Sequence, residues 1–172
     1  MPSSVGHALV AVTVAAALLP PPRPRRFALL VATCAILPDI DAIGRPFGLP
    51  DLEFLGGHRA LTHSLVFAAV LGAIVGFLCT RAPELRRVRV RACAVIAIAI
   101  ATHGVLDAMT TYGAGVAFAA PFSWTRYTFG WTPLTGVWKE MLLLWLPTTC
   151  VLIWAPFARG VLTVAGATGR GG

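Results

Sequence analysis

The stretch from Ala92 to Asp107, ACAVIAIAIATHGVLD, joins a charge-free apolar run directly to a histidine and an aspartate. The part before the histidine, Ala92–Thr102, has 11 residues, whereas a helix that spans a membrane needs roughly 17–25. This helix reaches spanning length only if His103 and Asp107 belong to it. The stretch therefore predicts a transmembrane helix with ionisable groups at one end, partly inside the membrane.

The whole chain follows the same pattern. Its 172 residues are 57% hydrophobic and 12% charged, with a mean hydropathy of +0.78, while soluble domains carry about a quarter charged residues. We predict an all-α polytopic bundle of about five transmembrane helices, forming one domain over residues 1–162, with a flexible tail at 163–172. The first two helices are short, and either could be re-entrant. The apolar blocks are Gly6–Leu19, Phe27–Gly44, Thr62–Thr80, Ala92–Thr110 and Val137–Ala155.

Basic residues predict the orientation. Ten of the 14 lysines and arginines fall on one face of this map, and the positive-inside rule makes that face cytoplasmic. The N-terminus is then outside and the C-terminus inside, in a multi-pass protein of the cytoplasmic (inner) membrane. No basic residue precedes the first block, so we expect a retained helix and not a signal peptide. The ten residues are Arg23, Arg25, Arg26, Arg81, Arg86, Arg87, Arg89, Arg91, Arg159 and Arg170.

The histidines and acids converge on the opposite, outer surface. All four histidines and six of the seven acids map there, with Glu84 as the exception. Their positions played no part in predicting the orientation, so the convergence is an independent observation. Ionisable groups inside spans are costly and mark candidate functional sites. The four histidines are His7, His58, His63 and His103.

Each signal has a plainer interpretation. His103 and Asp107 are four residues apart on one helical face, which suits a metal ion or an ordinary buried pair. Asp39 and Asp41 follow Pro38, which disfavours a regular helix, so they either face inward or end the helix as solvated acids.

Further along, Thr62 is expected to cap the third helix, with His63 in its first turn. His7 alone is most simply an interfacial histidine, and Glu140 is most simply paired with Lys139 or placed at the interface. The aromatic loop Gly113–Thr135 is interpreted as an interfacial belt, or alternatively as a lid over the polar site.

Two other classes of function are disfavoured. The net charge of +7 and pI of about 10.3 would suit a nucleic-acid partner, but the arginines sit between apolar blocks and no nucleic-acid-binding motif is present. No two of the four cysteines form a CxxC pair, so they are interpreted as small buried apolar residues and not as thiolate ligands. They are Cys34, Cys79, Cys93 and Cys150.

Mixed imidazole and carboxylate ligands suit zinc, with manganese or iron as alternatives. A catalytic zinc keeps a position open for water, and two ions ~3.5–4 Å apart could clamp a phosphoryl group. Seven candidate ligands would be enough for two ions. They are His7, Asp39, Asp41, His58, His63, His103 and Asp107.

Several segments together resemble a known family, over roughly residues 7–154. They are His7, Leu-Pro-Asp39-Ile-Asp41, His58-Arg-Ala-Leu-Thr-His63-Ser64, His103-Gly-Val-Leu-Asp107 with Thr110, and Pro121-Phe-Ser123 with Arg126. The chain resembles the YdjM-type family of LexA-binding, inner-membrane-associated, metal-dependent hydrolases. The resemblance implies a metal-dependent hydrolase and, as a partner, a LexA-like regulator.

The order of these residues is also similar, more remotely, to the zinc-dependent phospholipase C and single-strand nuclease group. That similarity implies phosphoester hydrolysis. The chain lacks the second downstream HxxxE/D pair of that group, so a full three-zinc site is not expected. The residues that match ligand positions are His7, Asp39, His63, His103 and Asp107.

We therefore expect a metal-dependent hydrolase at the outer face of the membrane, acting on a phospholipid or another phosphoester. Asp41 and His58 are the candidate catalytic residues, and Arg59 and Arg126 are candidates for holding an anionic head group. The alternative is a metal-binding scaffold or regulator that binds a cytoplasmic partner. A transporter is disfavoured because the inner halves of the helices carry essentially no polar groups.

Overall fold

The computed structural model describes residues 3–19 and 25–154. In this part of the chain no strand forms, apart from an isolated bridge between Val116 and Tyr127. The predicted all-α class is confirmed, and each apolar block contains one helix. The predicted tail at 163–172 lies outside the described residues. The helices are α1, Ser4–Leu18; α2, Arg25–Ile36; α3, Leu65–Cys79; α4, Arg89–Ala108; and α5, Val137–Trp154.

Helix α4 is the centre of the bundle and packs against α1, α2 and α3. Its buried face is aliphatic, with Ile96 and Ile100 in the main core cluster. On α3, a Cβ added to Gly72 or Gly76 would lie 2.5 Å from the backbone of α4. These small residues let the two helices approach closely, as is common between membrane helices.

Within the described residues, two of the helices are long and apolar enough to cross a membrane. They are Leu85–Ala108, which includes the turn before α4, and Val137–Trp154. Only 6% of the second is buried within the protein, so its apolar side chains are available to lipid. Helices α1 and α3 have 15 residues each and are about 22 Å long. Five spans and their orientation stay predictions.

Helix α2 ends at Ile36, and a 3-10 helix, Leu37–Ala42, follows it. Pro38 lies in the first turn of this segment, as expected of a residue that cannot continue a regular α-helix. Asp39 and Asp41 both lie in this 3-10 segment, and Asp41 is buried. The predicted interruption of the regular helix at Pro38 is therefore present.

The start of α3 differs from the prediction. Ser64 is the N-cap, since its hydroxyl accepts the backbone N–H of Phe67 at 3.0 Å. Thr62 and His63 lie before it in a short 3-10 helix, Leu61–His63. The prediction that Thr62 caps the third helix is wrong, and its hydroxyl is free for another role.

Glu140 links α5 to the start of α1 through hydrogen bonds. Its buried Oε1 accepts the backbone N–H and the hydroxyl of Ser3, at 2.8 and 2.6 Å, and the indole N–H of Trp145 at 2.9 Å. A carboxylate at a helix N-terminus is favoured by the helix dipole. A Cβ on Gly6 would lie 2.4 Å from this oxygen. Glu140 therefore bonds to α1 and not to Lys139, and it anchors the helix that carries His7.

Candidate metal centre

Four separate elements place ionisable side chains at one end of the bundle. Helix α1 supplies His7, the turn after α2 supplies Asp39, the turn before α3 supplies His63, and α4 supplies His103 and Asp107. Asp39 has a side chain that is 26% exposed, while the other four side chains are 0% exposed. The structure thus brings together the five residues predicted as metal ligands.

Four of these five residues face a common point. His63 Nε2 lies 3.3 Å from Asp107 Oδ2 and 3.6 Å from Asp39 Oδ1. His103 Nε2 lies 3.3 Å from Asp39 Oδ1 and 3.9 Å from Asp107 Oδ2. These separations exceed the usual hydrogen-bond range of about 2.7–3.2 Å, and none of the four atoms has a hydrogen-bond partner. Buried polar atoms without partners are costly, so a cation held between these four atoms would stabilise the group.

The spacing fits a metal ion. Ligands held about 2.0–2.1 Å from a tetrahedral zinc are roughly 3.3–3.4 Å apart, close to the separations of 3.3–3.9 Å in this group. The four residues can each offer one ligand atom, with all four atoms within 4.8 Å of one another. Two imidazoles and two carboxylates form a donor set that zinc accepts.

The orientation of His103 is fixed by the backbone of α2. Its Nδ1 lies 2.7 Å from the carbonyl oxygen of Ala35. A carbonyl only accepts, so Nδ1 carries the proton and Nε2 presents a lone pair to the cluster. Metal-binding histidines are typically held in this way.

Gly104, the next residue, lets the turn that carries His63 approach α4. A Cβ at this position would lie only 2.6 Å from the carbonyl oxygen of His63. Any larger residue would therefore push the His63 turn away from His103. This glycine sets the spacing between His63 and His103 without contributing a candidate ligand.

The other side of the His63 ring is hydrogen-bonded. Thr62 Oγ1 donates to Asp41 Oδ2 at 2.6 Å, so it accepts from His63 Nδ1 at 3.0 Å. Asp41 Oδ1 lies 2.8 Å from His58 Nδ1. Asp41 is buried and links two histidines. The chain of bonds holds His63 with Nε2 aimed at the cluster.

Asp41, His58 and His63 also form a second group that could hold a metal. In this group, however, Asp41 is bonded to His58 and Thr62 at hydrogen-bond distances. His63 Nε2 faces the first group, and of the other side-chain polar atoms in this second group that the structure describes, His58 Nε2 is the one without a hydrogen-bond partner. We therefore interpret this group as support for His63 and not as a second ion site.

His7 lies beside the four-residue group. Its ring stacks on His103 with centroids 3.7 Å apart and an 11° angle. Its Nε2 is 3.7 Å from Asp107 Oδ1, and neither ring nitrogen has a hydrogen-bond partner. His7 is thus available as an additional ligand, or as a contact for a group bound to the ion.

Arg59 is buried with a positive φ of 64°, a conformation uncommon for residues other than glycine. Its Nε lies 3.0 Å from Asp107 Oδ2, and its guanidinium also donates to the Tyr112 carbonyl oxygen and to Thr110 Oγ1. Its backbone N–H donates to Asp41. Arg59 therefore offsets the Asp107 charge, and a contact with substrate stays a prediction.

Arg126 donates to the carbonyl oxygens of His58 and Gly56, at 2.9 and 3.1 Å. It holds the segment that carries His58, and its predicted contact with a head group also stays untested. The aromatic loop, residues 113–135, packs on the same segment, since Ala117 donates its backbone N–H to the Arg59 carbonyl at 3.0 Å. Other side chains of the loop are exposed, including Phe122, Trp124 and Trp131.

Sequence reasoning missed three contributors to the site: the Thr62 hydroxyl, the Ala35 carbonyl and Gly104. The first two make contacts across more than 20 residues of sequence or between helices, so no local pattern reveals them. Gly104 did leave a signal, because a glycine inside a helix costs about 1 kcal/mol relative to alanine. Its position beside His103 indicates a close approach to another segment.

Comparison with known proteins identifies the family of the chain. No solved structure matches the chain. The inner membrane protein YbcI of Escherichia coli (strain K12) is 32% identical over 166 residues, covering 86% of this chain and 92% of that protein. The profile of the YdjM inner membrane protein family matches residues 1–168. The chain therefore belongs to the YdjM inner membrane protein family.

Proposed function

We propose that this protein is a membrane-bound, metal-dependent hydrolase that acts on a phosphoester at the outer face of the cytoplasmic membrane. One observation carries the proposal. Four buried ligand atoms, from Asp39, His63, His103 and Asp107, converge without hydrogen bonds at separations that suit a metal ion. Such an arrangement is costly unless a cation occupies its centre.

The charges favour one divalent ion, most simply zinc, with manganese or iron as alternatives. Three carboxylates surround the site, those of Asp39, Asp41 and Asp107, and Arg59 supplies one fixed positive charge. The acids thus carry two negative charges in excess, which one divalent ion offsets when the imidazoles are neutral. Asp39, His63, His103 and Asp107 would hold this ion.

A bound zinc supplies Lewis acidity and lowers the pKa of a coordinated water toward ~7. The protein would supply the base. Asp41 fixes the His58 ring through Nδ1 at 2.8 Å, so His58 Nε2 is free to accept a proton. This carboxylate–imidazole pair resembles the arrangement of many general bases. His58 would therefore be the catalytic base and Asp41 its positioning residue.

Metal content tests the proposal first. Protein purified in detergent and analysed by mass spectrometry is expected to contain one equivalent of zinc or manganese. A His103→Ala, Asp107→Ala double variant should lose it, because it removes two of four ligands. Metal-loaded protein should then hydrolyse bis(4-nitrophenyl) phosphate faster than the variant does.

Thr102→Ala is the matched control on α4. Thr102 lies next to His103, but its hydroxyl bonds only to the Ala99 carbonyl of its own helix, at 2.7 Å. Metal content should be unchanged in this variant. A wild-type protein that binds no metal after reconstitution would contradict the proposal. The remaining candidate would then be a regulator that binds a cytoplasmic partner, such as a LexA-like repressor, through its arginine-rich loops.

The proposed outer location has its own test. Topology reporters fused after Arg87 and within the aromatic loop at Trp124 are expected to report opposite sides of the membrane. This result follows from the distribution of arginine between the two ends of the bundle. Reporters on the same side would contradict the outer placement and leave the metal centre itself unaffected.

A further inference from the structure

The metal centre has one exposed member. The side chains of His7, His63, His103 and Asp107 are 0% exposed, whereas that of Asp39 is 26% exposed with its Oδ1 buried against the cluster. Among the described residues that form the centre, Asp39 alone therefore connects the ligand atoms with the surroundings. A substrate that reaches the centre in this conformation has to pass this carboxylate.

Three residues that flank Asp39 in sequence are exposed isoleucines. Ile36 lies one turn before it and is 37% exposed, Ile40 follows it directly and is 45% exposed, and Ile43 lies one turn beyond Ile40 and is 62% exposed. Ile36 ends α2, Ile40 lies in the 3-10 segment, and Ile43 directly follows that segment, where the chain turns from an apolar helix to polar loops. The entrance thus combines one carboxylate with three exposed isoleucines.

Exposed aromatic side chains at the same end of the bundle indicate where the lipid head groups lie. Trp124 packs on the segment that leads to His58, since a Cβ on Gly56 would lie 2.4 Å from its ring, and half of its surface is still exposed. Phe122 and Trp131 of the same loop are 85% and 71% exposed. Tryptophan is enriched where the membrane meets water. Because His58 of this segment also lies 2.8 Å from Asp41, two residues after Asp39, the aromatic loop lies beside the Asp39 segment, which indicates an entrance that faces lipid as well as water.

From these observations, and resting on the proposed metal-dependent function, we infer that the substrate is a phosphate-bearing lipid that enters sideways at Asp39. Its acyl chains contact Ile36, Ile40 and Ile43, and its phosphate reaches the metal centre. A soluble phosphoester would gain nothing from the three isoleucines, because their contribution comes only from burying apolar surface.

The test uses protein loaded with Mn²⁺ in dodecyl maltoside. Bound Mn²⁺ broadens the ³¹P resonance of any phosphate held beside it. Dihexanoyl-phosphatidylglycerol is compared with glycerophosphoglycerol, the same head group without acyl chains. We expect the ³¹P resonance of the lipid to broaden at a concentration at least roughly tenfold lower than the concentration of glycerophosphoglycerol that gives the same broadening. A difference of this size is expected when several methylene groups are buried.

An Ile40→Ser, Ile43→Ser double variant should keep its Mn²⁺ and lose most of this preference. The matched control is Ile74→Ser, Ile98→Ser, which changes two isoleucines of similar exposure, 51% and 45%, on α3 and α4. It should keep the preference, which separates the entrance from general contact with detergent. If the first variant loses metal, the single Ile43→Ser variant, at the most exposed of the three positions, replaces it.

Three results would overturn the inference. Equal broadening of the two compounds by the wild-type protein would show that acyl chains do not contribute. An unchanged preference in the entrance variants, with metal retained, would show that the chains bind elsewhere. Failure of the wild-type protein to bind Mn²⁺ or zinc would overturn the proposed metal-dependent function, and this inference with it.

Discussion

The two nitrogen atoms of the His63 ring lie in contrasting environments. On the Nδ1 side, Thr62, Asp41 and His58 are joined by contacts of 2.6–3.0 Å, which are ordinary hydrogen bonds. On the Nε2 side, Asp39 and Asp107 lie at 3.6 and 3.3 Å without hydrogen bonds. Both sides contain buried carboxylates, so composition alone does not distinguish them.

His63 therefore takes part in two groups of residues. Its Nδ1 belongs to a chain of hydrogen bonds, and its Nε2 faces the candidate metal ligands. The Nδ1 side is already satisfied, so it can hold the ring in place in the absence of any ion. On the Nε2 side, a metal ion bound by His63, Asp39 and Asp107 would supply the missing partner. Outer partners of this kind orient metal-binding histidines and raise their basicity. The proposed centre is therefore a single-ion site with a preformed support.

The largest expected effects on zinc affinity come from replacing one carboxylate on each side of the His63 ring with an amide. Asp39→Asn should weaken zinc binding by more than the roughly 10–100-fold that outer partners typically contribute, because it removes a charged ligand. Asp41→Asn should weaken binding within that 10–100-fold range, because the ligands remain while their orientation loosens. Competition with a fluorescent zinc chelator measures both affinities.

Asp51→Asn is the control for these exchanges. Asp51 is paired with Arg45 at 2.6 Å on the neighbouring loop, and its side chain is 27% exposed. Exposed pairs contribute little, so zinc affinity should not change. Equal losses of zinc affinity in Asp39→Asn and Asp41→Asn would contradict the proposed difference between the two sides of the His63 ring. They would favour an ion on each side of His63.

A smaller effect is expected from Thr62→Val, which keeps the shape of the side chain and removes its hydroxyl. The lost hydrogen bond to the buried Asp41 carboxylate is worth about 1.5–3 kcal/mol. Thermal unfolding in detergent should occur at a lower temperature, and zinc affinity should fall by roughly tenfold or less. Thr62→Ser retains the hydroxyl and should behave like the wild type. A Thr62→Val protein with unchanged stability would show that the Nδ1 side does not support the ring.

Much of the centre follows from the sequence, because the apolar blocks and basic loops predict which polar residues share an end of the bundle. That reasoning selected His7, Asp39, His63 and the pair on α4. It placed Thr62 at a helix cap and Glu140 beside Lys139, since each assignment looked only at neighbours in sequence. Both side chains instead bond across the fold, Thr62 to Asp41 and Glu140 to Ser3.

The sequence by itself determined the helical class, the five helices of the described residues and the candidate ligands, because apolar runs, proline and charge act locally along the chain. The tertiary structure alone decided which atoms face one another. The backbone carbonyl of Ala35 selects the His103 tautomer, and the bare backbone of Gly104 admits the His63 turn. These contacts join segments distant in sequence, and their effect depends on separations of a few tenths of an ångström, which only packing sets.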